Sequence, residues 1–135
     1  MELVKLFKAL GDETRIRIIN LLRHGELCVC EIESILDINQ SNASRHLSKL
    51  INVGLIKNYK KAQYVYYSLD ISILEDHLFI KELIDDEIIK EHNLIEDTVK
   101  LEEYKKSNIT CDDIKNGRVC SKLKKCSKQL IGRSC

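Results

Sequence analysis

Two cysteines separated by a single residue are the most reactive feature of the sequence. Cys28 and Cys30 stand in the segment GELCVCEI, where the apolar spacing predicts that a helix begins. Peptide N–H groups and the helix dipole lower the pKa of a thiol at such a position and favour the thiolate. Thiolates bind soft metal and metalloid ions. On a regular helix the two side chains are about 200° apart, so we expect the first turn to unwind if both sulfurs bind one ion.

Four further cysteines follow near the end of the sequence, at positions 111, 120, 126 and 135. The candidates for additional ligands are Cys111 and Cys120, for which the pattern predicts no structural role. Cys126 lies on a predicted apolar helix stripe, which favours a buried structural role. The role of Cys135 is open. No CxxC pair occurs among them, so zinc binding by this segment is possible in principle but not favoured.

The composition fits a cytoplasmic protein with reduced thiols. The sequence has 135 residues, enough to bury a core without disulfides, and it has no run of 18 apolar residues and no secretory leader pattern. We therefore expect no membrane partner. A Ser-His-Asp arrangement, a glycine-rich phosphate loop and paired catalytic carboxylates are all missing from the sequence, which predicts a protein that is not an enzyme and has no small-molecule substrate.

The charges are strongly segregated along the sequence although the formal net charge is only +1. Residues 38–69 carry five basic residues and no acidic one, whereas residues 70–104 carry three basic and twelve acidic residues. Residues 105–135 carry nine basic and two acidic residues. The long stretch without a carboxylate indicates a surface that faces a polyanion such as DNA. It argues against a metal carrier or thiol oxidoreductase, which would not need such a surface.

The periodicity predicts a mostly α-helical fold with one small β-hairpin. Leu3, Phe7 and Leu10 have helical spacing, and Gly11-Asp12 ends that helix and begins a second one over residues 12–23. A third helix is predicted over the segment CVCEIESILDI, with Cys28 and Cys30 at its beginning, and a fourth over residues 41–53 with its N-cap at Asn39 or Ser41. The alternating pattern after Gly54 predicts the hairpin.

The fourth helix has one apolar face and one polar, basic face. Ala43, Leu47 and Leu50 form the predicted core stripe, and Arg45 and Lys49 lie on the opposite face. Such a helix fits the major groove of double-stranded DNA, while the lysines of the hairpin reach phosphates. The arrangement is a winged helix-turn-helix.

Residues 70–104 are predicted to form one long helix, or two with a break near His92-Asn93. Their apolar face has no evident partner within the chain, which predicts a homodimer through the terminal helices and a pseudo-palindromic operator. We therefore divide the chain into a DNA-binding and dimerisation domain over residues 1–104 and a basic, cysteine-bearing extension over residues 105–135.

Several segments resemble the ArsR/SmtB family of metal-sensing repressors in order and spacing. LFKALGDETRIRIINLL is similar to the opening of that family, GELCVCEI to its metal-site helix, and QSNASRHLSKLINVGLIK with YVYYSL to its recognition helix and wing. The resemblance implies a transcriptional regulator with these DNA-contacting residues: Gln40, Ser41, Asn42, Ser44, Arg45, His46, Ser48, Lys49, Lys57, Lys60 and Lys61. Members usually have a glycine at the wing tip, and this chain has none there.

The ELCVC segment resembles the site of the arsenic repressor branch, in which trivalent arsenic or antimony, As(III) or Sb(III), releases the repressor from operator DNA. The resemblance implies a role in arsenical resistance, with Cys28 and Cys30 as ligands. Where that branch often has a third cysteine, this chain has Glu33, so a third thiolate has to come from Cys111, Cys120 or another tail cysteine, or the inducer is an organoarsenical that needs two. The alternative is a repressor of the same fold that responds to oxidants or reactive sulfur through its thiols.

Overall fold

A computed structural model describes residues 1–107. Its helices are α1 (Glu2–Leu10), α2 (Glu13–Leu22), α3 (Val29–Leu36), α4 (Gln40–Asn52), α5 (Ile71–Asp76), α6 (Leu78–Glu82) and α7 (His92–Lys106), and its strands are β1 (Leu27–Cys28), β2 (Ile56–Lys61) and β3 (Tyr64–Leu69). A π-helical turn and a 3₁₀ turn, Leu83–Glu87 and Ile88–Lys90, continue from α6. Within these residues, no helix is both long enough and apolar enough to cross a membrane.

The helix boundaries follow from capping residues. Asp12 precedes α2 in an extended conformation, and its carboxylate accepts a hydrogen bond from the Arg15 N–H at 3.2 Å. Asn39 precedes α4 and accepts one from the Asn42 N–H at 2.8 Å. Each side chain satisfies one of the N–H groups that a helix start leaves without a partner. The predicted N-cap at Asn39 is thereby confirmed.

The three strands form one antiparallel sheet in the order β1-β3-β2. The hairpin β2-β3 was predicted, but β1 was not. This two-residue strand pairs Leu27 with Tyr67 and Cys28 with Tyr66. A strand of two residues has too few positions for an alternating pattern, so periodicity cannot detect it.

The core lies between α2, α3, α4 and α7, with Ile18, Ile32 and Leu50 fully buried. On α1, the predicted stripe is wrong in part: Leu6, Ala9 and Leu10 are buried, but Leu3 and Phe7 are 44% and 54% exposed. A stripe three residues long is compatible with two neighbouring faces of a helix.

The acidic segment after the hairpin differs from the expectation of one or two helices. The chain leaves helical geometry at His77 and again at Glu91, next to the predicted break. Its apolar side chains do have an intrachain partner, because Ile80, Ile84 and Leu101 are buried in the core. The exposed apolar side chains of this segment include Leu78 and Phe79 on α6, at 66% and 39%.

A buried ion pair fixes α7 to α2. The Arg17 guanidinium donates two hydrogen bonds to the Asp97 carboxylate, at 2.7 and 3.0 Å, and the Asp97 side chain is only 3% exposed. The neighbouring Asn20 amide donates to the Leu94 carbonyl at 3.0 Å and to the Thr98 hydroxyl at 3.1 Å. These contacts satisfy the polar groups that this helix pair buries.

Candidate DNA interface and thiol site

The fourth helix presents the predicted polar face to solvent. Ala43, Leu47 and Leu50 are buried, and Arg45 and Lys49 are exposed. The other candidates on this helix are likewise open to solvent: Gln40, Ser41, Ser44 and Ser48 are exposed, and Asn42 is partly so. The Asn42 side-chain oxygen accepts a hydrogen bond from Arg45 at 3.2 Å. The exposed donors and acceptors therefore form one continuous surface of the kind that reads base edges and phosphates.

His46 is the exception on this helix, because its side chain is buried in the interior and not placed for the expected DNA contact. The side chain is 7% exposed, and its Nδ1 lies 3.2 Å from a guanidinium nitrogen of Arg15. Arg15 is itself buried and donates to the carbonyls of Ala9 and Lys8 at 2.6 and 3.1 Å. The His46 side chain thus connects α4 to Arg15 of α2 in the interior of the domain. Burial lowers the pKa of its ring because it disfavours the charged form, and the nearby Asp12 carboxylate opposes that effect only in part.

The wing carries exposed lysines on a turn without glycine. Lys57, Lys60 and Lys61 are exposed along β2. At the turn, Ala62 adopts a left-handed conformation with φ 56°, which an L-residue with a Cβ adopts at a cost of about 1–2 kcal/mol. The missing wing glycine therefore leaves the hairpin intact and places strain on one residue.

The sulfurs of Cys28 and Cys30 converge. Their Sγ atoms are 2.8 Å apart, with Cys28 fully buried and Cys30 7% exposed. The expectation that the helix must first unwind is wrong, because Cys28 is not inside the helix. It is the N-cap of α3, with extended φ −84° and ψ 163°, so the rotation of about 200° between alternate helical residues does not apply.

The expectation of an easily ionised pair is also corrected. Burial, with a smaller contribution from the Glu31 carboxylate, raises the pKa of the Cys30 thiol to about 11. The loss of hydration therefore outweighs the N–H groups at the helix start. Cys30 is a free thiol, whereas Cys28 takes part in a disulfide bond.

The thiol site contacts both candidate DNA-binding elements. Cys28 pairs with Tyr66 of the wing strand β3, and α3 packs directly against α4. Glu31 accepts a hydrogen bond from the Cys28 N–H at 2.9 Å. A side-chain hydrogen bond between Glu31 and Tyr104 connects the site to α7 as well. Burial, together with this hydrogen bond, raises the pKa of Tyr104. Sequence reasoning missed Glu31 and Tyr104, and only the Glu three residues after the N-cap was a signal for the first.

A third ligand is not supplied by the described part of the chain. Residues 1–107 contain no group of three Cys, His, Asp or Glu side chains arranged to hold a metal ion. Glu33 is partly exposed, but its Oε1 is buried without a hydrogen-bond partner there, and burial raises the pKa of this carboxyl group. The candidates Cys111 and Cys120, and likewise Cys126, Cys135 and the predicted tail helix, lie outside the described residues.

Comparison with known proteins identifies the group to which the chain belongs. Residues 12–58 match the family described as "Bacterial regulatory protein, arsR family". The chain is 42% identical over 86 residues to a cadmium resistance transcriptional regulatory protein CadC homolog of Staphylococcus aureus, an alignment covering 63% of this chain and 66% of that protein. It is 46% identical over 67 residues to the arsenical resistance operon repressor of Escherichia coli, covering 49% and 57% respectively. The matched region thus spans about half to two thirds of these relatives.

A solved structure supports the same assignment. Reduced HlyU from Vibrio cholerae superposes with a TM-score of 0.53 and 33% identity, covering 63% of this chain and 90% of that one. The fold is that of a winged helix-turn-helix domain, and the matched family is one of DNA-binding transcriptional regulators, not of enzymes. The chain belongs to the arsR family of bacterial regulatory proteins.

Proposed function

We propose that the protein is a homodimeric transcriptional repressor that binds operator DNA through α4 and the wing. The acid-free stretch of residues 38–69 and the exposed side chains of Arg45 and Lys49 support the proposal. Binding through lysines and arginines is governed by phosphate neutralisation and weakens steeply with salt. The remaining candidates for base and phosphate contacts are Gln40, Ser41, Asn42, Ser44, Ser48, Lys57, Lys60 and Lys61.

The dimer forms through α1 and α6 in this proposal. Exposed apolar side chains of both helices lie side by side, and the Phe7 and Phe79 rings stack with their centroids 5.5 Å apart. Leu3, Val4 and Leu78 extend the same pair of helices with exposed apolar side chains. Contiguous apolar surface of this kind is typical of an interface between subunits.

The signal in our proposal is trivalent arsenic or antimony bound by Cys28 and Cys30, with a third thiolate from Cys111 or Cys120. The observation that carries it is the 2.8 Å separation of the two sulfurs at the junction of β1 and α3. Soft ions prefer sulfur ligands. The names of the arsenic and cadmium relatives support a soft ion as the inducer.

Ligand binding changes DNA affinity through the start of α3. Sulfurs that share one ion through bonds of about 2.3 Å stand roughly 3–4 Å apart, so binding has to separate the two sulfur atoms from their 2.8 Å contact. The Cys28 backbone belongs to the ladder with β3, and α3 supports α4. A shift at this junction therefore moves the wing and the recognition helix relative to each other, and so changes the free energy of DNA binding.

A titration of the fully reduced protein on DNA from immediately upstream of its own coding sequence tests the proposal. Fluorescence anisotropy should show tight binding, and arsenite should release the DNA. Cys28→Ser should bind the DNA like the parent protein and lose release by arsenite, because only one of the two converging sulfurs remains. Cys111→Ser and Cys120→Ser, measured in the same way, identify the third ligand.

Cys135→Ser is the matched control and should be released like the parent. Release of Cys28→Ser at parental arsenite concentrations would contradict the assignment of the site. The absence of any salt-sensitive DNA binding by the parent would contradict the repressor itself.

A second candidate is a repressor controlled by thiol oxidation. The participation of Cys28 in a disulfide bond, with the Cys30 sulfur 2.8 Å away, favours it. Oxidation of such thiols to disulfides is reversible by reductants. Under this alternative, peroxide or persulfide releases the DNA, dithiothreitol restores binding, and arsenite has no effect.

A further inference from the structure

A second basic surface lies beside the recognition helix. A cleft of about 300 Å³ separates α1 from the last turns of α4, and its walls include Lys5, Lys8 and Lys49 with no acidic residue. The side chains of all three lysines are exposed. Within residues 1–107, none of them is ion-paired with a carboxylate. Three unneutralised cations around one cleft form a region of positive potential.

The position of the α1 lysines is fixed relative to α4. Arg15 also lines the cleft and donates hydrogen bonds to the Ala9 and Lys8 carbonyls at 2.6 and 3.1 Å. The same guanidinium is 3.2 Å from the His46 ring on α4. Because its donors are used in this way, Arg15 holds the two helices together rather than binding a ligand itself.

We infer that Lys5 and Lys8 each bind a DNA backbone phosphate next to the bases that α4 reads. Lys49 belongs both to the cleft and to the exposed face of α4 with Arg45, so a strand of DNA on that face passes the mouth of the cleft. The inference rests on the proposed DNA binding and extends its surface to α1. Phosphate contacts fix register and affinity without reading sequence.

The salt dependence of DNA binding tests this inference. The double variant K5Q/K8Q is titrated by anisotropy against the upstream DNA and against random DNA of equal length, at several salt concentrations. Because each phosphate contact contributes about 0.9 to the slope of log Kobs against log salt, and the proposed dimer carries two copies of each lysine, the slope should fall by about 3.6. The affinity should fall by the same factor on both DNAs, since phosphates carry no sequence information.

The matched control is K90Q/K106Q, which removes the same charge from the 3₁₀ turn Ile88–Lys90 and from α7, two elements outside the proposed dimer interface and not among the main packing partners of α4. This control should keep the parental slope. An unchanged slope for K5Q/K8Q, an equal fall in the control, or a loss confined to the upstream DNA would overturn the inference while leaving DNA binding intact. If the parent binds neither DNA, the proposed function fails and the inference fails with it.

Discussion

At the scale of single residues, the thiol pair shows which properties of a site can be predicted from the sequence and which require the structure. The types and spacing of Cys28 and Cys30 are the basis of the soft-ion site, which stays a prediction. The relative orientation of the two side chains could not be predicted, because it depends on whether Cys28 lies inside the helix or at its N-cap. The ionisation of Cys30 depends on burial by the rest of the chain, which raises its pKa to about 11. The local sequence indicates where the helix starts, but it does not indicate how far the rest of the chain excludes solvent from the thiol.

His46 makes stability depend on pH. Its pKa is lowered in the folded protein, chiefly by burial. The unfolded chain therefore takes up a proton near pH 6.5, whereas the folded protein takes it up only at lower pH. The contribution to stability is complete above the unfolded pKa and is lost as the pH falls through the folded value. We expect the free energy of unfolding in urea to be lower at pH 5.5 than at pH 7.5.

The variant His46→Gln serves as the comparison. It keeps a polar side chain near Arg15 but cannot titrate, so its unfolding free energy should change less between the two pH values. His24, whose pKa is also lowered by burial, is present in both proteins and cancels in the difference. Equal pH dependence in the two proteins would show that His46 is not the responsible group.

At the scale of elements, segments with a clear period were predicted well, and breaks and elements without one were not. The spacing of Ala43, Leu47 and Leu50 identified α4 and its buried face, and alternation identified the hairpin. The strand β1 and the break at His77 have no periodic signal, because each involves one or two residues whose conformation is set by neighbours in space. The connection between Cys28 and the wing was therefore visible only in the structure.

The wing turn offers a test of element stability. Ala62 has φ 56°, a conformation that glycine adopts without the clash of a Cβ. Ala62→Gly should therefore raise the free energy of unfolding, by about 0.5–1 kcal/mol after the added freedom of the unfolded chain is subtracted. Urea denaturation measures the change. Gln63→Gly is the control and should be neutral or destabilising, since Gln63 is not among the residues with positive φ.

At the scale of the whole molecule, the structure changes which surface is available for dimerisation. The acidic segment was expected to offer its entire apolar face, but Ile80, Ile84 and Leu101 belong to the core. Among the apolar side chains of this segment that remain exposed are Leu78, Ile89 and Ile95, together with Phe79, whose ring stacks on Phe7. Hydropathy along the sequence shows how much apolar surface there is, but it cannot divide that surface between the core and a partner.

Phe79→Glu tests the proposed dimer. A carboxylate in place of an aromatic ring at an apolar interface would be buried without a partner, which is strongly unfavourable. We expect sedimentation equilibrium to show a dimer for the parent and a monomer for the variant, and DNA affinity to fall because each subunit then binds one half-site. Ile95→Glu, on an exposed position of α7, is the control and should remain dimeric. A dimeric Phe79→Glu would exclude this face as the interface.

The ion pair between Arg17 and Asp97 has a consequence for the stage of synthesis at which the domain can complete its core. Its partners are 80 residues apart in sequence. At about 5–20 residues per second, the ribosome adds the carboxylate roughly 4–16 seconds after the guanidinium. During that interval the nascent DNA-binding helices have no α7 to cover α2. The last helix therefore completes the domain, and a ribosome stalled before residue 97 carries a chain that exposes part of its core to chaperones and proteases.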